Sequence, residues 1–134
     1  MKIVVDTNII ISGTFFGGYP ARVLEYILDD KCQAFVSDEI IDEYRYIAEK
    51  FVLTNQGLFG KTYLNKLLEK MILIQPTSKV EICRDPKDDK FIECAIDAKA
   101  LYIVSGDQDL LVLENVDDVK IVTAKEFCEL LQGL

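Results

Sequence analysis

Histidine is absent from this sequence. That removes Ser-His and Cys-His catalysis, histidine metal ligation and histidine acid–base chemistry together. Any catalysis must rest on carboxylates, with or without a metal. The four cysteines, Cys32, Cys83, Cys94 and Cys128, lie far apart and form no CxxC pair. A disulfide framework or a zinc site would want closer spacing, so they read as small buried hydrophobes in a reducing compartment. No apolar run approaches the roughly 20 residues that span a bilayer, which predicts a soluble protein. A charged n-region followed by an apolar h-region and a cleavage site is also missing, since Asp6 and Asn8 interrupt the opening apolar stretch. The expected location is therefore the cytoplasm. No repeat, linker or low-complexity segment divides the chain, and residues 1–134 read as a single domain. An excess of positive charge is lacking too. The net charge of −8 argues against tight nonspecific binding to nucleic acid, because phosphate contacts need lysine and arginine. It leaves room for a locally basic groove.

What is present is a core and a rhythm. Half of the residues are hydrophobic, which excludes a disordered chain. The opening Ile3-Val4-Val5 is a short β-branched run, read as a buried strand. Asp6, Thr7 and Asn8 follow at once, then a second apolar run. After the Gly17-Gly18 loop, Pro20 suits a helix's first turn, and Val23, Leu24, Ile27 and Leu28 recur at helical spacing. Ala34 to Val36 reads as a strand, and Ser37 or Asp38 as the cap of a helix reaching about Phe51. Thr54-Asn55-Gln56-Gly57 breaks the pattern before a helix over about Lys61 to Met71. Short strands are predicted at Ile72–Ile74 and Val80–Cys83, and a helix opens at Asp85-Pro86. Leu101–Val104 and Val119–Val122 are further strands, with a short helix at Leu110-Leu111 between them. Thr123 caps a last helix to about Leu131. Alternating strands and helices of this length predict an α/β three-layer sandwich, its central sheet mostly parallel and helices on both faces.

In such sheets ligands bind outside the carboxyl ends of the strands. Two strands end in carboxylates there, Asp6 after Ile-Val-Val and Asp107 after Tyr-Ile-Val-Ser-Gly. A lone strand-end aspartate is usually a helix N-cap, but two at matching places point to a site. On the helix from Asp38, Glu43 falls at the flank of the apolar face at roughly 100° per residue, while Asp42 points away. Asp85-Pro86-Lys87-Asp88 has the form of a helix start, with an N-cap acid, proline at the first position and an acid at N3. Asp88 and Asp89 cannot both serve the cap, and the N3 argument leaves Asp89 spare. Carboxylates converging in a cleft repel one another and would protonate or splay without a cation. Hard ions with oxygen ligands, Mg²⁺ or Mn²⁺, suit such a set and support phosphodiester hydrolysis without histidine.

Four stretches in this order resemble the PIN (PilT N-terminus) domain. They are Val4-Val5-Asp6-Thr7-Asn8-Ile9, Asp38-Glu39-Ile40-Ile41-Asp42-Glu43, Asp85-Pro86-Lys87-Asp88-Asp89-Lys90-Phe91-Ile92, and Tyr102-Ile103-Val104-Ser105-Gly106-Asp107-Gln108-Asp109. The chain looks most like the subfamily of toxin components of toxin–antitoxin systems. The resemblance implies a Mg²⁺- or Mn²⁺-dependent single-strand ribonuclease with a parallel sheet, a small antitoxin partner and a tendency to homodimerise. It implies Asp6, Glu43, Asp89 and Asp107 as catalytic metal ligands, with Asp88 and Asp109 as further ligands and Asn8 and Ser105 holding the acids. Phe91-Ile92 would select Asp89 over Asp88 by the family's spacing.

A ribonuclease of this charge needs a basic surface somewhere. Arg22, Arg45 and Lys50 are the expected RNA-facing cations, with Tyr19 or Phe16 free to stack on bases. Scattered solubilising charge is the competing explanation. Among other classes, a receiver-type signalling domain would also be small, acidic and Mg²⁺-binding, but it needs an acidic pair at the first strand and an acid where Ser37 stands. An Asp-x-Asp phosphatase finds Asn8 in place of its second acid. A PIN-like module that binds RNA or a partner without cutting is the remaining alternative.

Overall fold

A computed structural model describes residues 1–52 and 57–133. Of the break predicted at Thr54–Gly57, residues 54–56 lie outside the described residues and Gly57 opens a helix. Six strands form one sheet: β1 (Lys2–Val5), β2 (Gln33–Val36), β3 (Ile72–Leu73), β4 (Tyr102–Val104), β5 (Asn115–Val116) and β6 (Val119–Val122). Their order is β3-β2-β1-β4-β6-β5, parallel except for the β5–β6 pair. Among the described residues seven α-helices connect and flank them: α1 (Thr7–Phe15), α2 (Gly18–Leu28), α3 (Asp38–Val52), α4 (Gly57–Lys70), α5 (Asp89–Ala98), α6 (Gln108–Leu111) and α7 (Ala124–Gln132). This is the expected mostly parallel α/β sandwich.

β1 is central because its flanking residues leave it no solvent face. Ile3, Val4 and Val5 are all fully buried, as are Ile103 and Val104 beside them. The chain moves outward from β1 through β2 to β3, then crosses back to β4 and on to β6. Right-handed crossovers in opposite directions put α1 to α4 on one face and α5 on the other. Accordingly α1 packs on α2 and α3, whereas α5 packs on β1, β2 and β4. Gly13 permits the close α1–α2 approach, since a Cβ there would lie 2.6 Å from the Leu24 side chain. No helix among the described residues is long and apolar enough to cross a membrane.

Helix starts follow the sequence closely. Ser37, rather than Asp38, accepts the Ile40 N–H at 3.3 Å, and Thr123 and Glu126 form a reciprocal capping box on α7. All four cysteines are buried and unpaired, and burial lifts the Cys94 thiol to about 12 and the Cys32 thiol to about 11.

One predicted strand is absent. Val80–Cys83 lies in an irregular segment, and its backbone donors bond to carboxylates instead of to a neighbouring strand. Asp97 accepts from the Thr77 and Ser78 N–H groups and the Ser78 hydroxyl. Glu93 accepts from Val80 N at 3.0 Å. Asp89 Oδ1 accepts from Ile82 N at 3.2 Å and Cys83 N at 2.9 Å. Asp89, Glu93 and Asp97 recur every fourth residue and so share one side of α5. Alternating apolar residues fit a strand or this strap equally well; the helix acids decide between them.

Candidate metal centre at the sheet edge

The register of β1 and β4 builds the floor of the site. Val5 pairs with Val104, so the next residues, Asp6 and Ser105, emerge side by side. The Asp6 N–H donates to Val104 O at 2.9 Å, and the Ser105 hydroxyl donates to Asp6 Oδ2 at 2.7 Å. Asp6 stands at the N-cap of α1 but its side chain makes no cap bond. The capping explanation fails for this residue. The residue is 3% exposed and its pKa rises to about 6, first through burial and then through the charges of Asp107 and Glu43, against the lowering effect of Ser105.

Asp107 does cap. Its Oδ1 accepts from Asp109 N at 2.9 Å, starting α6, and its own N–H donates to Ser105 Oγ at 3.0 Å. Ser105 thus ties the ends of both strands together. Helix α3 delivers Glu43. Buried Tyr44 donates its hydroxyl to Val5 O, which pins the helix against the end of β1 and turns Glu43 toward Thr7. Glu43 Oε2 accepts from the Thr7 hydroxyl, and Oε1 pairs with Lys90 Nζ at 2.8 Å.

At the start of α5 it is Asp88 that lies with Asp107 and Asp109, whereas the expected Asp89 accepts from the backbone of Ile82 and Cys83. The chain makes a 3-10 turn over Pro86–Asp88 before α5 begins, with Asp85 accepting from Lys87 N at 3.0 Å. That extra turn changes the phase. Asp85 alone caps, Asp88 makes no cap bond, and Asp89 turns to the 82–83 backbone. Burial, then the charges of Asp107, Asp6 and Asp85, push the Asp88 carboxyl up to about 7. For Asp89 burial acts upward, but the N–H groups of Cys83 and Ile82 and the Cys83 thiol outweigh it and hold the carboxyl below its ordinary range. Oxygens of Asp88, Asp107 and Asp109 lie within 4.8 Å of one another. Asp109 also pairs with Arg84 at 3.1 Å.

Asn8, the other expected holder of the acids, is exposed and its side chain makes no hydrogen bond among the described residues; Thr7 fills that role on Glu43. Arg22 is exposed on α2 and stacks over Tyr19 at 5.6 Å. Arg45 lines a cavity of about 290 Å³ with Lys61 and Asn65, between α3 and α4. Lys50 stacks over Tyr46 at 4.5 Å. Among the described residues none of these three pairs with the acid cluster, whereas Lys90 and Arg84 do. The sequence held a signal for both, since they directly flank the stretch Asp85–Asp89.

The donor set fits a hard divalent cation: oxygen atoms only, on rigid elements, with two carboxyls whose ionisation is opposed by their neighbours. Such a cation would remove that opposition.

Comparison with known proteins identifies the family. The solved structure of VapBC2 from Rickettsia felis, bound to a DNA fragment from its promoter, has a similar fold (TM-score 0.64, 13% identity), covering 92% of this chain and 98% of that one. The PIN domain of RRP44 from T. brucei aligns at a TM-score of 0.49 and 13% identity over 95% of this chain and 78% of its own. An uncharacterized protein of Methanocaldococcus jannaschii, MJ1680, is 31% identical, with 96% of this chain and 90% of that protein aligned. The family model described as PIN domain matches residues 2–109, from the first strand through the last acid of the cluster. The chain belongs to the PIN domain family, a family of nucleases.

Proposed function

We propose that this protein is a Mg²⁺- or Mn²⁺-dependent endoribonuclease acting on single-stranded RNA, and the toxin of a toxin–antitoxin pair. The observation that carries the reading is the convergence of Asp6, Glu43, Asp88 and Asp107 at one sheet edge, with Asp109 at the rim. The pKa values of two of these carboxyls are raised well above their ordinary range, to about 6 for Asp6 and about 7 for Asp88. Acids so arranged are costly to ionise on their own, and a divalent cation turns that cost into affinity. Asp88, Asp107 and Asp109, with Asp6 beside them, would hold it. A bound ion supplies Lewis-acid polarisation of a phosphodiester and lowers the pKa of water beside it.

The protein's own groups do the rest. Ser105 fixes Asp6 and the turn to Asp107. Thr7 and Lys90 fix Glu43. Arg84, whose side chain is 86% exposed, can meet an approaching phosphate. Arg22, Arg45 and Lys50 are assigned to the outer path of the RNA, away from the acids. The RNA substrate and the small antitoxin rest on the family resemblance and on the fold likeness to VapBC2.

Incubation of a generic single-stranded RNA with the protein in Mn²⁺, beside Asp6→Asn prepared identically, tests the reading. Cleavage by the wild type alone, abolished by EDTA, is the expected result. Equal cleavage by both preparations would be contamination. Absence of cleavage in both, with Mn²⁺ binding intact, would favour a binding module that does not cut. A small open reading frame directly upstream is expected for the antitoxin.

A further inference from the structure

Glu43 differs from the other acids of the cluster in that both its oxygens are already engaged. Oε1 meets the Lys90 ammonium at 2.8 Å, and Oε2 accepts the Thr7 hydroxyl. Lys90 in turn is held on several sides. It donates to Lys87 O, lies 5.1 Å over the ring of fully buried Phe91, and its side chain is only 12% exposed. A lysine with a flexible stem normally leaves its charge in water. This one is inserted among acids and fixed there. The oxygens that crowd within 4.8 Å belong to Asp88, Asp107 and Asp109, not to Glu43. The cluster therefore has two sides: one where carboxylates face each other, and one where a carboxylate faces an ammonium.

A second ion on the Glu43 side would have to displace Lys90 from its partly buried pair with Glu43, leaving its ammonium uncompensated.

We infer that Lys90 is the site's built-in cation: its ammonium occupies the Glu43 side of the cluster, so the protein takes one divalent ion, on Asp88, Asp107 and Asp109 beside Asp6. Glu43 is then a positioning residue that holds Lys90 rather than a ligand of the ion. This rests on the metal-dependent reading above and adds the number of ions and the group that replaces a second one.

Mn²⁺ binding to the full chain, followed by calorimetry and by electron paramagnetic resonance, tests it without any assay of cleavage. The wild type is expected to bind one Mn²⁺ with the spectrum of an isolated ion. Lys90→Gln is expected to bind two, broadened by coupling between neighbouring ions, and Lys90→Arg to return to one. Glu43→Gln should keep one ion, whereas Asp107→Asn should weaken it by more than about tenfold. Two ions in the wild type, one in a folded Lys90→Gln, or loss of the ion in Glu43→Gln would each overturn the inference while leaving a metal-dependent nuclease intact. No ion in the wild type would instead bring down the metal-dependent reading itself.

Discussion

The cluster at the sheet edge and the row along α5 are both built from carboxylates, and they meet at two adjacent aspartates. In the row, Asp89, Glu93 and Asp97 each accept backbone N–H groups from residues 77–83. The Ser78 and Thr77 donors hold Asp97 below its ordinary range, as the strap's N–H groups hold Asp89. In the cluster, Asp6 and Asp88 face other acids and are pushed upward. Donor-rich surroundings make an anion a fastener, and acid-rich surroundings make it a vacant charge that wants a cation. The difference lies in what faces each residue, since the residue types are the same.

The largest test of this contrast is at the two neighbours. Asp88→Asn and Asp107→Asn are expected to abolish RNA cleavage with little change in melting temperature. Asp89→Ala should do the reverse in kind: it orphans the N–H groups of Ile82 and Cys83 and costs about 2–4 kcal/mol of stability. Thermal melts beside cleavage assays separate the two. A fully active Asp88→Asn would show that the cluster has been assigned to the wrong acid.

Next in size is the metal-free pH dependence. Asp6 and Asp88 titrate at about 6 and about 7 in the fold, against an ordinary 3.8. Between those values the folded protein holds protons that the unfolded chain has released. Their contribution is complete below the ordinary value and is lost as pH rises through 6 to 7. Asp89 and Asp97 act in the opposite sense, contributing above the ordinary value and losing it in acid. Metal-free melting temperatures should therefore peak on the mildly acidic side and fall toward alkaline pH. Asp6→Asn should flatten that fall and exceed the wild type by about 1–3 kcal/mol in mild alkali. Destabilisation of metal-free Asp6→Asn there would count against carboxylate repulsion.

Mn²⁺ should reverse the alkaline loss, since an ion at 100 times its dissociation constant adds about 2.7 kcal/mol. Asp107→Asn should melt at the same temperature with and without it. Smallest is Thr123→Ala, which removes the α7 capping box and should cost about 1 kcal/mol. It lies in neither group of acids, so cleavage per folded molecule should be unchanged.

Most of the architecture was legible because local patterns and long-range packing agree. Ile3–Val5 is too apolar to be anything but a buried strand, and the stripe around Ile40, Tyr44 and Ala48 buries as its spacing dictates. The two strand-end aspartates were legible for the same reason, since parallel strands bring their ends to one edge. The sequence reading favoured Asp89, whereas the structure sets Asp88 among the acids, because a 3-10 turn before the helix rotates the next side chains by an amount that the acid pattern does not encode. Val80–Cys83 was misread because strand-like alternation says nothing about which acceptor its N–H groups will find.

The sequence by itself determined the α/β class, a buried first strand, the burial of the cysteines and the exclusion of histidine chemistry. All of these follow from composition and periodicity, which each residue carries wherever the chain goes. Only the tertiary structure decided which acid is free and which is fastened, and that Lys90 and Arg84 sit among them. A carboxylate's charge state is set by groups far away in sequence and near in space: for Asp6 they are Ser105 and Asp107, and for Asp89 the backbone of Ile82 and Cys83.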